Sequence, residues 1–204
     1  MEYDKAKKLT QEFYDNFAET YITRSAEKPE KTIAEFSTLL NGALGIKDIL
    51  DIGCAGGSCA VTFLNRGFRV LGVDFSYCMC KITNSRGVQV IQADLENLPF
   101  LAWWFAGIWA RKSLLHLPKN SIPVVLKNFH KLLRENGVLY LELKEGSGEE
   151  LKTTKEGTTF FSYWETEEIK LVLTEANFET IKVTRGKFDR FKERRFLKIF
   201  AVRR

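Results

Sequence analysis

The sequence predicts a doubly wound α/β fold: a parallel sheet with helices on both faces. The first observation behind this is Asp48-Ile49-Leu50-Asp51-Ile52, a short apolar strand. It runs into the turn Gly53-Cys54-Ala55-Gly56-Gly57 and then a helix from about Ser58 to Arg66. Glycine lets a backbone turn sharply and approach a ligand closely, and the helix beyond offers its open N-terminus. The second is Phe68–Val73, another strand, ending in Asp74. The third is Val88–Ala93, a strand ending in Asp94. An acid at one strand end is often a turn former. Acids at the ends of three successive strands (Asp51, Asp74, Asp94) mark the edge where ligands bind in this architecture.

The elements follow in order. Residues 1–45 read as two helices. Leu9, Phe13, Phe17 and Tyr21 recur at helical spacing, with Tyr14 beside them. Thr32 is placed to cap the second helix, with Glu35 three residues on. Its apolar face is Ile33, Phe36, Leu39, Leu40 and Leu44. Ser76 is an N-cap candidate for a helix running to about Arg86. A fourth strand runs into Ala110, Arg111 and Lys112. A helix from about Ser121 to Arg134 carries His130 on a face with Leu126 and Leu133. Asn136-Gly137 introduces a fifth strand, 137–143. Residues 144–150 read as a charged, glycine-bearing loop, well placed to touch substrate. Thr166-Glu167-Glu168 starts a helix to Ala176. Glu179–Val183 and Phe196–Val202 are the sixth and seventh strands.

Composition bounds the function. A chain of 204 residues, 45% hydrophobic and with a net charge of +5, reads as one domain with ample core. No stretch is long and apolar enough to span a membrane. The opening Met1-Glu2-Tyr3-Asp4 is not a secretory leader, so the expected location is cytoplasmic. Cys54, Cys59, Cys78 and Cys80 lack zinc-ligand spacing. They read as reduced thiols, with no metal site expected. Residues 182–204 hold ten basic side chains against Asp189 and Glu193. Such a hairpin is either a partner surface for RNA or protein or an edge whose charges discourage strand pairing.

The turn is not a dinucleotide fingerprint, because Ala55 and Ser58 stand where G-x-G-x-x-G needs glycine, and there is no G-K-[ST]. Asp51-Ile52-Gly53-Cys54-Ala55-Gly56-Gly57 resembles motif I, D-x-G-x-G-x-G, of the class I S-adenosylmethionine-dependent methyltransferases, departing from it at Ala55. Tyr14–Tyr21 resembles that family's Y-D-x-x-A-x-x-Y lid segment, Asp74-x-Ser76-x-x-Met79 its D-x-S-x-x-M, and Leu98–Pro118 its L-P-F…S-L-L-H-L-P. Within the last of these, Ala106 replaces the usual acid, and Trp103 and Trp104 fill a loop that is usually polar. The tryptophans read as core, substrate wall or partner surface.

The resemblance implies a seven-stranded sheet of order 3-2-1-4-5-7-6 with strand 7 antiparallel. Residues 1–45 would form a helical lid and residues 46–204 a Rossmann-like core, in one methyltransferase domain. It implies S-adenosyl-L-methionine as cofactor and S-adenosyl-L-homocysteine as product. The cofactor-binding residues it implies are Tyr21, Asp51, Gly53, Cys54, Ala55, Gly57, Asp74, Phe75, Met79, Asp94, Leu95, Ala110 and Arg111. His116 is the catalytic candidate, as a general base; in many relatives this histidine is architectural. Tyr14, Lys112, Lys144 and Glu145 are the substrate-contact candidates. The expected activity is methyl transfer to O or N of a small-molecule acceptor. Two alternatives stand beside it: an RNA or protein methyltransferase using the basic hairpin, and a degenerate non-catalytic partner subunit, suggested by Ala55 and Ala106.

Overall fold

The computed structural model describes residues 3–24, 29–41, 47–100, 102, 105–188 and 195–204. Leu44, Trp103, Trp104 and basic residues Arg190, Lys192 and Arg194 lie outside the described residues. Among the described residues three helices, not two, precede the sheet: α1 (Tyr3–Asn16), α2 (Ala18–Arg24) and α3 (Glu30–Asn41). Thr32 therefore lies inside α3 and does not cap it. The buried face of α1 is also not the aromatic stripe. Ala6 and Thr10 are its buried residues, because small side chains let the helix approach the sheet closely.

The sheet holds β1 (Asp48–Ile52), β2 (Arg69–Asp74), β3 (Gln89–Gln92), β4 (Phe105–Arg111), β5 (Leu133–Glu145), β6 (Glu149–Thr154), β7 (Gly157–Trp164), β8 (Phe178–Phe188) and β9 (Arg195–Arg203). Its main order is 3-2-1-4-5-9-8. The pairs β3–β2, β2–β1, β1–β4 and β4–β5 are parallel, and β9 runs antiparallel between β5 and β8. This is the seven-stranded order the motifs imply, with the last strand antiparallel.

The addition is a hairpin. The predicted loop 144–150 is instead the end of β5, a short turn and the start of β6. β6 pairs antiparallel with β7, and β7 joins β5 in parallel at Lys144–Tyr163 and Glu145–Trp164. At the other end of β5 the predicted Asn136-Gly137 turn is an irregularity. Its register with β4 shifts between Phe105 and Gly107, and Asn136 takes φ 58.

Strand side chains alternate between faces, and two cores result. On one face Leu50, Ile52, Ile108, Leu139 and Leu141 pack with Leu126 and Phe129 of α6 (Ile122–Leu132) and Ile169 and Leu173 of α7 (Thr166–Glu175). On the other, Ile49, Trp109 and Tyr140 pack with Ile33, Phe36 and Leu40 of α3 and with Phe63 of α4 (Ser58–Asn65). Trp109 stacks on Tyr140 at 4.1 Å. Ala106 is buried in this second core, where a carboxylate would be costly without a partner. Each such large side chain contributes about 1.5–3 kcal/mol by burial, and together they hold the strand tips in place.

Candidate functional site

The C-terminal tips of β1, β2, β3 and β4 open into a cavity of about 660 Å³ roofed by α1 and α2. The turn after β1 builds its floor. Gly53 takes φ +66, and a Cβ there would lie 2.5 Å from the Ser113 Cβ, so no other residue fits without movement. Ala55 also takes a left-handed φ of 49. The alanine is not accommodated by a negative φ. It is held in a strained conformation by bonds at both ends: its N–H donates to Asp74 Oδ2 at 2.8 Å, and its carbonyl accepts from the Thr83 hydroxyl.

Asp74 is the brace of this end. Its Oδ1 accepts from the Ser76 N–H at 2.9 Å. Ser76 caps α5 (Tyr77–Ser85) as its sequence position predicts, accepting from the Met79 N–H at 3.1 Å. Burial pushes the Asp74 carboxyl up to about 6, against the backbone hydrogen bonds that work the other way. Asp51 is 2% exposed and its Oδ2 has no partner among the described residues. Burial first, then the Asp74 charge, pushes it up to about 7. Burial also pushes the Cys59 thiol up to about 12, with the Asp51 charge adding to it. The four cysteines are free.

The other end of the cavity is built by α1 and β7. Thr10 Oγ1 accepts from the Phe160 N–H at 3.0 Å and donates to the Ala6 carbonyl at 2.9 Å. Asp15 accepts from the Ser76 hydroxyl at 2.6 Å and the Cys78 N–H at 3.1 Å. Gln11 donates to the Phe75 carbonyl at 3.0 Å. Lys7 bonds to Asp94 and, at 2.7 Å, to Glu96.

Between α1 and β7 sits His116, at the end of a short 3₁₀ turn (Leu114–His116). Its Nδ1 lies 2.8 Å from the Phe160 carbonyl, and its Nε2 lies 2.8 Å from the Tyr14 hydroxyl. A carbonyl can only accept, so Nδ1 carries the proton and Nε2 accepts from Tyr14. Burial lowers the imidazole to about 4. The Phe160 bond opposes that shift and the Lys144 charge adds to it.

The cavity gathers most of the residues singled out in the sequence. Asp51, Gly53, Cys54, Ala55, Asp74 and Phe75 line the floor, and Met79, Asp94, Leu95, Tyr21 and Arg111 line it beside them. Tyr14, Lys112 and His116 line the end under α1. Four residues fall elsewhere. Gly57 serves as the left-handed N-cap of α4. Ala110 faces the opposite core, since its neighbours Trp109 and Arg111 point to the cavity. Lys144 is buried, with its Nζ 3.8 Å from the Phe161 ring centroid. Glu145 pairs with Arg185 at 2.6 Å.

The sequence reading missed Tyr3, Lys7, Thr10 and Gln11, which line the roof, and Ser113, whose buried Oγ has no partner among the described residues. The spacing of Tyr3, Lys7, Thr10 and Tyr14 is helical and was the available signal. Among the basic residues near the C-terminus, Lys182 pairs with Glu35 at 2.5 Å, and Arg204 pairs with Glu179. No helix among the described residues is long and apolar enough to cross a membrane.

Strand order and strand-tip site define a Rossmann-like fold of the kind that binds an adenosine cofactor over the β1 turn. Comparison with known proteins agrees. Residues 49–137 match a family model described as a methyltransferase domain. The chain is 31% identical over 106 residues to the malonyl-[acyl-carrier protein] O-methyltransferase of Hamiltonella defensa, covering 50% of this chain and 40% of that one. Among solved structures it superposes on a methyltransferase from Methanosarcina mazei with a TM-score of 0.72 at 16% identity, covering 81% of this chain and 96% of that one. It superposes on the 1,6-didemethyltoxoflavin N1-methyltransferase of Burkholderia thailandensis with a TM-score of 0.67 at 21% identity, covering 94% and 89%. The chain spans 57% and 63% of the length of two curated relatives it matches, from Geobacillus sp. and Oceanobacillus iheyensis. The domain match and the strand order agree on a methyltransferase-like Rossmann fold.

Proposed function

We propose that the protein transfers a methyl group from S-adenosylmethionine to an oxygen or nitrogen of a small molecule. The observation that carries this reading is the buried, unpartnered Asp51 Oδ2 at a cavity floor that Asp74 braces. An orphaned carboxylate oxygen is costly unless a ligand completes it, and a cofactor with a cationic amino-acid end does so. These residues fit the group: Asp51 would hold the amino end, Asp74 the ribose hydroxyls, and Leu95 and Met79 the adenine wall. Asp94 is already engaged by Lys7, so an adenine amino group would share that carboxylate.

When bound, the cofactor supplies an electrophilic methyl group on a sulfonium. The chain's own work is to bind, align and exclude water, which the roof of α1 does here. The structural neighbour from Burkholderia thailandensis methylates N1 of 1,6-didemethyltoxoflavin, which supports a small acceptor. The acid partners already held by Lys182, Arg185 and Arg204 support it over nucleic acid.

The test is calorimetric titration with S-adenosylmethionine and S-adenosylhomocysteine. Wild type binds in the micromolar range. Asp74→Ala loses at least about 100-fold, since charge-assisted hydrogen bonds contribute about 1.5–3 kcal/mol each. Absence of binding to either ligand by the wild type overturns the reading.

A further inference from the structure

We propose that Tyr14 and His116 act together as the proton acceptor of the acceptor subsite, and that this subsite takes an uncharged hydroxyl compound rather than an amine or a phosphorylated molecule. The inference rests on the methyl-transfer reading above and names its acceptor class.

The pair is fixed from both sides. Phe160 of β7 holds Nδ1–H, so the Nε2 lone pair is committed to the Tyr14 hydroxyl. The Tyr14 ring is wedged edge-on between Phe13 and Tyr21, at 5.2 and 5.1 Å between centroids. An acceptor held at Tyr14 Oη is thereby linked to His116 Nε2 through one hydrogen bond.

The charges lining this space are settled within the protein. Lys7 is bonded to Asp94 and Glu96. Arg111 and Lys112 meet the buried Glu142 at 3.1 and 3.4 Å, and the Lys112 Nζ lies 4.0 Å from the Phe196 ring centroid. Arg86 donates to the Gly56 carbonyl at 2.6 Å. A phosphate entering here would have to break an internal pair to find a cation. An ammonium would find Asp94 and Glu142 already taken. Asp51 remains, at the cofactor end.

The proton accounting favours oxygen. As the bond from the acceptor oxygen to the methyl carbon forms, the carbon–sulfur bond breaks and its electron pair stays on sulfur. The acceptor's hydroxyl proton passes to Tyr14 Oη, and the Tyr14 proton passes to His116 Nε2. Nδ1–H stays on the Phe160 carbonyl, and the imidazolium then releases its extra proton to water. The groups facing the ring are Tyr14 from α1, Lys144 from β5, and the Phe160 carbonyl and Phe161 ring from β7, while Tyr3 donates to the His116 backbone carbonyl.

Buried, and with the Lys144 charge near it, His116 is a weak base, lowered to about 4. A weak base suffices for an oxygen that becomes strongly acidic as it gains a methyl group. It does not suffice for an aliphatic amine, whose conjugate acid titrates near 10, as lysine does.

The chain has two histidines, His116 and His130, so their ring nitrogens are separable by ¹⁵N NMR with one variant. Phenol, benzylamine and phenyl phosphate are titrated into the full chain, with and without S-adenosylhomocysteine. Phenol is expected to shift the His116 Nε2 resonance, while the other two leave it unmoved at equal concentration. In Tyr14→Phe the apparent affinity for phenol falls at least tenfold while the Nδ1–H signal persists. His116→Gln, with phenol binding read by calorimetry beside wild type, gives a similar loss and guards against misfolding of the first variant.

The proposal is overturned if phenyl phosphate or benzylamine shifts His116 as phenol does, if phenol leaves it unmoved, or if Tyr14→Phe responds like wild type. Failure of S-adenosylhomocysteine to bind would remove the methyl-transfer reading, while the phenol titration still decides the pair.

Discussion

The two ends of the cavity are built in opposite ways. The floor under β1 and β2 is made by neighbours in sequence: Gly53, Ala55, Asp74 and Ser76 fall within two strand–helix units, joined mainly by backbone bonds to one carboxylate. The end under α1 is assembled from distant segments, with Tyr14 meeting His116 102 residues on and Thr10 meeting Phe160 150 residues on. A local site is fixed by turn geometry. A distant one is fixed only by how the lid helix and the hairpin dock. Stability should therefore respond differently at the two ends.

The largest expected effect is at the floor. Asp51 is held well above its ordinary value, so the folded chain binds more protons than the unfolded one between about pH 4 and 7, and stability falls as pH rises through that window. Asp51→Asn should stabilise the ligand-free chain at pH 8 by on the order of 1–4 kcal/mol, a gain that vanishes near pH 4, and should weaken S-adenosylhomocysteine binding. Urea melts across pH read the first and calorimetry the second. A gain that is the same at pH 4 and pH 8 would contradict the buried charge. His116 slopes the other way: its value is depressed, so its contribution is full above about 6.5 and is lost as pH falls to about 4.

The second effect is at the far end. Thr10→Val leaves the Phe160 N–H without its acceptor and should cost about 1–3 kcal/mol. Amide exchange should quicken in α1 and β7 and stay unchanged in β1 and β2. Uniform quickening would mean the two ends are not separable.

The smallest is Ala55→Gly. Relief of the left-handed strain, about 1–2 kcal/mol, is partly offset by the greater freedom of glycine in the unfolded chain. The urea midpoint should rise by the equivalent of about 0.5 kcal/mol net, with the slope unchanged. A lower midpoint would mean the methyl group packs usefully.

The same contrast explains what could be read from the sequence. The strand–turn–helix, the acids at 51, 74 and 94 and the Ser76 cap are local patterns, and each falls at the cavity or its brace. The roof contacts of Lys7, Thr10 and Gln11 depend on partners 64 to 150 residues away; helical spacing puts these residues on one helix but does not name those partners. The β6–β7 hairpin was hidden by its chemistry. Strand β6 is Glu-Glu-Leu-Lys-Thr-Thr, an edge strand too polar to show apolar alternation. Its one signal is the threonine pair Thr153 and Thr158 facing each other across the turn that Thr154 and Gly157 close.

Helix α1 precedes its partner strand β7 by some 150 residues. At about 5–20 residues per second of synthesis, Phe160 leaves the ribosome roughly 8–30 s after Thr10. The helix made early in the chain must wait for a strand made late before it can dock. During that interval the strand tips of β1 to β4 stand uncovered, and the nascent chain can meet its cofactor before it can meet its acceptor.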